Sequence, residues 1–153
     1  MKKVAIILSG CGNRDGNELQ ETLSLALALD RNDIEYQYFA PRQEIDVYTY
    51  LDDSGTTGEK RSLFAEAARI ARGNILDLTA YKAEDYDGLA LPGGMGAARN
   101  LSTFAAEGVR MTVHPEVERA ILDTHAAAKP ICAMCIAPII LAKVLGQYGV
   151  GLT

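Results

Sequence analysis

Residues 133–138 read Ala-Met-Cys-Ile-Ala-Pro, the end of the run KPICAMCIAP that begins at Lys129. The apolar residues Ile131–Met134 read as a strand, and Pro138 suits the first turn of a helix over Pro138–Gly146. Cys135 therefore falls on a strand-to-helix turn. A nucleophile elbow is such a turn, and it needs small residues two places before and two places after its apex. Ala133 and Ala137 meet that need. At the helix N-terminus the dipole and free N–H groups would favour a thiolate. Two other readings compete. A lone strand cysteine can be a small buried hydrophobe, and Cys132 with Cys135 spells CxxC. A redox CxxC wants its helix to begin at the first cysteine, whereas the proline places it after the second. A zinc site would want about four ligands, and no second Cys or His pair is present. Cys132 is expected in the core.

Working outward, Lys3–Ser9 is apolar and β-branched without alternation, as in a strand buried on both faces. A glycine-rich turn, Gly10–Gly16, leads to a helix over Glu18–Leu29 whose leucines predict good packing. Ile34–Ala40 is a second strand, stopped by Pro41. Gln43–Thr57 is either a hairpin turning near Asp53–Gly55 or an irregular insertion. Lys60–Arg72 reads as a helix ended by Gly73, and Ile75–Leu78 as a short strand. Leu89–Leu91 is a strand closed by Pro92-Gly93-Gly94. Helices are expected over Ala97–Ala106 and Pro115–Ala127. Strands alternating with helices mean one α/β domain, a mainly parallel sheet covered on both faces.

Ligands of such sheets sit beyond the carboxyl ends of the strands. Three of those ends carry unusual residues: SGCGNRDGNE (9–18), PGGMGAARN (92–100) and the cysteine turn. The glycine loop at Gly93 and Gly94 offers amides free of side chains, as an oxyanion site requires; a phosphate-binding or structural turn is the plainer reading. The glycines at 10, 12 and 16 miss the dinucleotide fingerprint GxGxxG by one place. Glu18 opens an apolar helix facing a central strand end, where a dipole partner is the ordinary reading and a functional carboxylate the other. His114 and His125 read as features of the Pro115 helix and its approach, capping or solvated.

With 153 residues and 48% apolar composition the chain can bury a core without staples. Its net charge of −5 and dispersed basic residues argue against nucleic acid. Three cysteines are too few for a secreted disulfide framework. Val4–Leu8 is too short for a signal core, and no run approaches the roughly 20 apolar residues of a membrane span. No membrane association and a cytoplasmic location are expected.

Taken together, DGNE with Glu18, LPGGMGAARN and AMCIAP resemble the PfpI/ThiJ superfamily of class I glutamine amidotransferase-like folds. MKKVAIILSGCG, FAP at 39–41, EAARIARG at 66–73, GAARNLSTFA and MCIAP narrow this to a resemblance to the ElbB-type glyoxalases associated with isoprenoid biosynthesis. The resemblance implies a flavodoxin-like doubly wound fold, Cys135 as nucleophile, and Glu18 as its hydrogen-bonding acid. It further implies an oxyanion site at the amides of Gly93, Gly94 and Ile136, and a homodimer. The activity it implies converts glyoxal, or a similar small aldehyde or dicarbonyl, to glycolate with no metal or other cofactor. Ile136 stands where many superfamily members place His, so no Cys–His dyad is expected. A redox-sensing or partner-binding module built on the same cysteine is the alternative. Family chains continue past the elbow helix, so a C-terminally truncated single domain over residues 1–153 is expected.

Overall fold

The computed structural model describes residues 1–153. In chain order its elements are β1 (Lys3–Ile7), α1 (Leu19–Arg31), β2 (Glu35–Ala40), β3 (Glu44–Tyr48), β4 (Thr56–Ser62), α2 (Leu63–Ile70) and β5 (Ile75–Asp77). They continue with β6 (Gly88–Leu91), α3 (Met95–Arg99), α4 (Phe104–Glu107), α5 (Pro115–Ala126), β7 (Ile131–Ala133) and α6 (Pro138–Leu145). Five strands make one parallel sheet in the order β5-β2-β1-β6-β7. The chain first winds outward from β1 through β2 to β5, then returns to the other side for β6 and β7. The order therefore reverses between β1 and β6, which is where a doubly wound, flavodoxin-like sheet opens a crevice.

The unbroken apolar run of β1 has its reason in this topology. Ala5 and Ile7 join one core cluster with residues of α5 and α6, while Ile6 and Leu8 join the other with residues of α1 and α2. Ile6, Ile7 and Leu8 are completely buried; each such side chain contributes roughly 1.5–3 kcal/mol. A central strand with a helix layer on each face has no solvent side on which to place a polar residue.

Four expectations needed correction. The hairpin reading of 43–57 holds, because β3 and β4 pair antiparallel. Its second strand extends further than expected, however, and takes Lys60–Ser62 from the start of the anticipated helix. Pairing of Asp46 with Lys60 and of Ile45 with Arg61 outweighs their helix propensity, and Ser62 caps α2 by accepting from Ala65 N–H. The helix expected over 97–106 is two short ones, broken where the Asn100 amide turns inward to the carbonyls of Ser9 (2.9 Å) and Asp15 (2.8 Å). On α1, only Thr22, Ala26 and Leu29 are buried; Leu19, Leu23 and Leu27 line its outer face. Finally, Cys132 is exposed rather than core. Ile131 and Ala133 pack toward the α5–α6 layer, so Cys132 points to the opposite face, and β7 is an edge strand. No helix in the chain is long and apolar enough to cross a membrane.

Candidate functional site

The three unusual strand ends meet. After β7 the extended chain runs on to Met134, whose N–H donates to Leu91 O at 3.0 Å. Cys135 then takes φ 56°, a left-handed conformation that costs a non-glycine residue about 1–2 kcal/mol. Ala137 N–H closes the turn onto Met134 O at 2.9 Å, and Pro138 opens α6. The thiol is thus presented, exposed, on a strained apex at a helix N-terminus. That is the elbow anticipated from the two flanking alanines.

The loop after β6 packs directly against it. A Cβ placed on Gly93 would stand 2.5 Å from Cys135 Cβ, 2.5 Å from Glu21 Oε2 and 2.9 Å from Met134 O. No residue but glycine fits there. Because Cys135 Cβ and Glu21 Oε2 both lie 2.5 Å from that one point, they are no more than about 5 Å apart. Gly94 has φ 99°, and a Cβ there would meet Glu18 N and Gly16 O at 2.4 Å. The glycine pair therefore lets two backbones and the cysteine turn close on one another.

The β1–α1 loop supplies the carboxylates. Glu18 is the N-cap residue of α1, its Oε2 accepting from Glu21 N–H at 2.9 Å, while its own N–H donates to Gly93 O at 2.9 Å. Glu21, one turn further on, reaches back across the crevice: its Oε2 accepts from Gly93 N–H at 2.9 Å. The structure thus brings Cys135, Gly93 and Glu21 together and holds Glu18 beside them as the cap. Of the amides expected to hold an oxyanion, Gly93 N–H is engaged by Glu21, whereas those of Gly94 and Ile136 donate to no acceptor in the chain. Buried Asn17 ties the arrangement together, accepting from Ser9 N–H (2.6 Å) and donating to the carbonyls of Pro92 and Gly93.

The other chemistry-bearing residues lie elsewhere. Burial pushes the Cys11 thiol up, with Arg69 acting against it. His114 caps α5, its Nδ1 accepting from Glu116 N–H at 3.2 Å, and burial lowers its pKa. His125 is exposed in the last turn of the same helix. No group of three or more His, Cys, Asp or Glu side chains is placed to hold a metal ion.

The site is thus a strained cysteine elbow, a carboxylate and a glycine loop at the switch point of a parallel doubly wound sheet. No family model matches. A human protein named glutamine amidotransferase-like class 1 domain-containing protein 3, mitochondrial, is 45% identical over 144 residues, which is 94% of this chain and 54% of that protein. An isoprenoid biosynthesis protein with amidotransferase-like domain from Ehrlichia chaffeensis superposes with a TM-score of 0.90 at 36% identity, covering 95% of this chain and 69% of that one. A Salmonella typhimurium protein of the DJ-1 superfamily matches at 25% identity with a TM-score of 0.56, over 97% of this chain and 62% of that one. The chain belongs to the class I glutamine amidotransferase-like, DJ-1/ThiJ/PfpI superfamily and is ElbB-like within it. It spans about half the length of the curated relatives it matches.

The cytoplasmic expectation is overturned. The human relative, and the rat and zebrafish proteins that also match, are all named as mitochondrial. Few cysteines argue against an oxidising, secreted setting, but they do not tell one reducing compartment from another.

Proposed function

We propose that this site carries out cofactor-independent glyoxalase chemistry on glyoxal or a similarly small dicarbonyl, with Cys135 as nucleophile. The observation that carries the reading is the meeting of an exposed, left-handed Cys135 with Glu21 Oε2 at a single glycine, Gly93.

The thiolate adds to one carbonyl carbon, forming a C–S bond and a hemithioacetal whose oxyanion the free Gly94 and Ile136 amides stabilise. A carboxylate then removes the proton from that carbon and a proton is returned to the neighbouring one, passing through an enediol to a hydroxyacetyl thioester. Water cleaves the thioester, releasing glycolate and regenerating the thiol. One carbon is oxidised and its neighbour reduced, so no external oxidant or reductant enters. In this reading the relay is Glu21, whose carboxylate lies at the cysteine, while Glu18 holds the start of α1. A homodimeric state is part of the proposal.

A second reading, in which Cys135 serves as an oxidisable sensor or partner-binding thiol, draws on another observation. Five cavities of about 300–460 Å³ on the chain are lined by residues other than Cys135, which stands open on the surface. Incubation with isotopically labelled glyoxal separates the two. The enzymatic reading expects many equivalents of glycolate per chain from the wild type and none from Cys135→Ala. Equal yields from both, or less than one equivalent, would refute it.

A further inference from the structure

We infer that the β3–β4 hairpin is a strap that positions Glu21, acting through the glycine-rich β1–α1 loop, and that Tyr50, Arg14 and Asp15 are its fastening. As a statement about geometry this stands alone; its consequence for chemistry rests on the glyoxalase reading.

The fastening is built from both sides. Asp15 is a buried carboxylate, and its two side-chain bonds both come from the hairpin: Tyr48 N–H to Oδ2 at 2.9 Å and the Tyr50 hydroxyl to Oδ1 at 3.1 Å. The Tyr50 hydroxyl also accepts from Arg14 N–H at 2.7 Å. The Arg14 guanidinium crosses in the other direction, donating to Thr49 O (2.8 Å), Asp52 O (2.7 Å) and Asp53 Oδ1 (3.1 Å). Gly12 makes room for the contact, since a Cβ there would lie 2.4 Å from the Tyr50 oxygen. A buried carboxylate left without these donors would be strongly disfavoured, so lifting the hairpin strains the loop at Asp15, whose backbone the Asn100 amide holds on the inner side.

From the loop the constraint passes to the site by short steps. Met95 N–H donates to Asn13 O at 2.8 Å and Gly96 N–H to Gly16 O at 2.9 Å, fixing the loop against the start of α3. Asn17 and Glu18 follow at once, and Glu18 N–H donates to Gly93 O. Glu21 lies one turn beyond, on Gly93 N–H. Its carboxylate therefore takes its place from a loop whose outer side is held by the hairpin. Tyr50, Arg14 and Asp15 touch none of the reacting groups and are positioning residues.

The test uses Tyr50→Phe, which keeps the ring and removes both hydroxyl bonds, with Arg14→Gln as a second variant that loosens only the hairpin tip. Two quantities are read in each: hydrogen exchange of the Gly93 amide, and the rate at which iodoacetamide alkylates Cys135 at neutral pH. The strap predicts at least about tenfold faster Gly93 exchange in Tyr50→Phe. It also predicts a changed Cys135 rate that Glu21→Gln reproduces, with the double variant no further from wild type than Glu21→Gln alone. Wild-type Gly93 exchange in both hairpin variants would overturn it, as would additive effects in the double variant. Faster Gly93 exchange with a Cys135 rate indifferent to Glu21→Gln would uphold the strap as geometry and refute the role given to Glu21.

Discussion

Replacing Cys135 by glycine should stabilise the protein relative to replacing it by alanine, although both remove the thiol. Cys135 sits at φ 56°, where an L-residue with a Cβ carries about 1–2 kcal/mol of strain that glycine does not. Glycine has more freedom in the unfolded chain, which returns about 0.5–1 kcal/mol against it. The side chain is exposed, so truncation itself removes little packing. At the middle of these ranges the difference comes to about 0.75 kcal/mol in favour of Cys135→Gly over Cys135→Ala, or about 1.5–3 °C in Tm for a chain of this size. Urea and thermal unfolding of the two variants side by side would measure it, with equal m values showing that both unfold from the same native state. An alanine variant as stable as the glycine variant, or more so, would show that the elbow stores no strain and would refute the reasoning.

Other outcomes follow from the same contacts. Glu21→Gln should lower glyoxal turnover about 10²–10⁴-fold with the fold intact, whereas Glu18→Gln, which weakens a helix cap, should cost roughly 1 kcal/mol of stability in denaturant titration; the reverse pattern would return the relay to Glu18. Thr124→Val should cost about 1–3 kcal/mol, because the buried Tyr81 hydroxyl loses its 2.7 Å partner, and an unchanged unfolding midpoint would contradict this. Burial, with a smaller effect from Tyr36, pushes Tyr38 up to about 12 in the fold, from an ordinary value of 10.0. Folding therefore favours its neutral form, and that stability is complete below pH 10 and lost as pH rises toward 12. Urea midpoints should fall across that window by less in Tyr38→Phe than in the wild type.

Most of the architecture was legible because β1 and β6 are short apolar runs closed by Gly, Pro or a polar turn, as strands buried on both faces are, with helical patterns between the strands. The elbow was legible for a different reason: Ala133, Ala137 and Pro138 are the residues a tight strand-to-helix turn demands, whatever surrounds it. What could not be read depended on long-range partners. Lys60 and Arg61 look helical until β3 pairs with them, and Asn100 looks helical until Ser9 and Asp15 claim its side chain. Cys132 looks buried until its strand proves to be an edge.

The choice between Glu18 and Glu21 is the most instructive case. Both lie at the start of α1, three residues apart, and sequence drew attention to the first. Helical side chains lean toward the N-terminus, so the carboxylate of the third helical residue is thrown back over the crevice. That of the N-cap folds onto the N–H of the same third residue. A Glu three places after a capping residue was the available signal.

The most direct test of the account is a competition among the three thiols. Cys132 and Cys135 are both exposed, while Cys11 is half-buried, so exposure alone would label Cys132 and Cys135 together. Only Cys135 stands on a left-handed elbow at the α6 N-terminus, with the Glu21 carboxylate against the same glycine, Gly93. Limiting iodoacetamide at neutral pH, followed by peptide mass mapping, should place the label on Cys135 at least about tenfold faster than on Cys132, and on Cys11 last. Equal labelling of Cys132 and Cys135 would contradict the claim that the fold activates this cysteine.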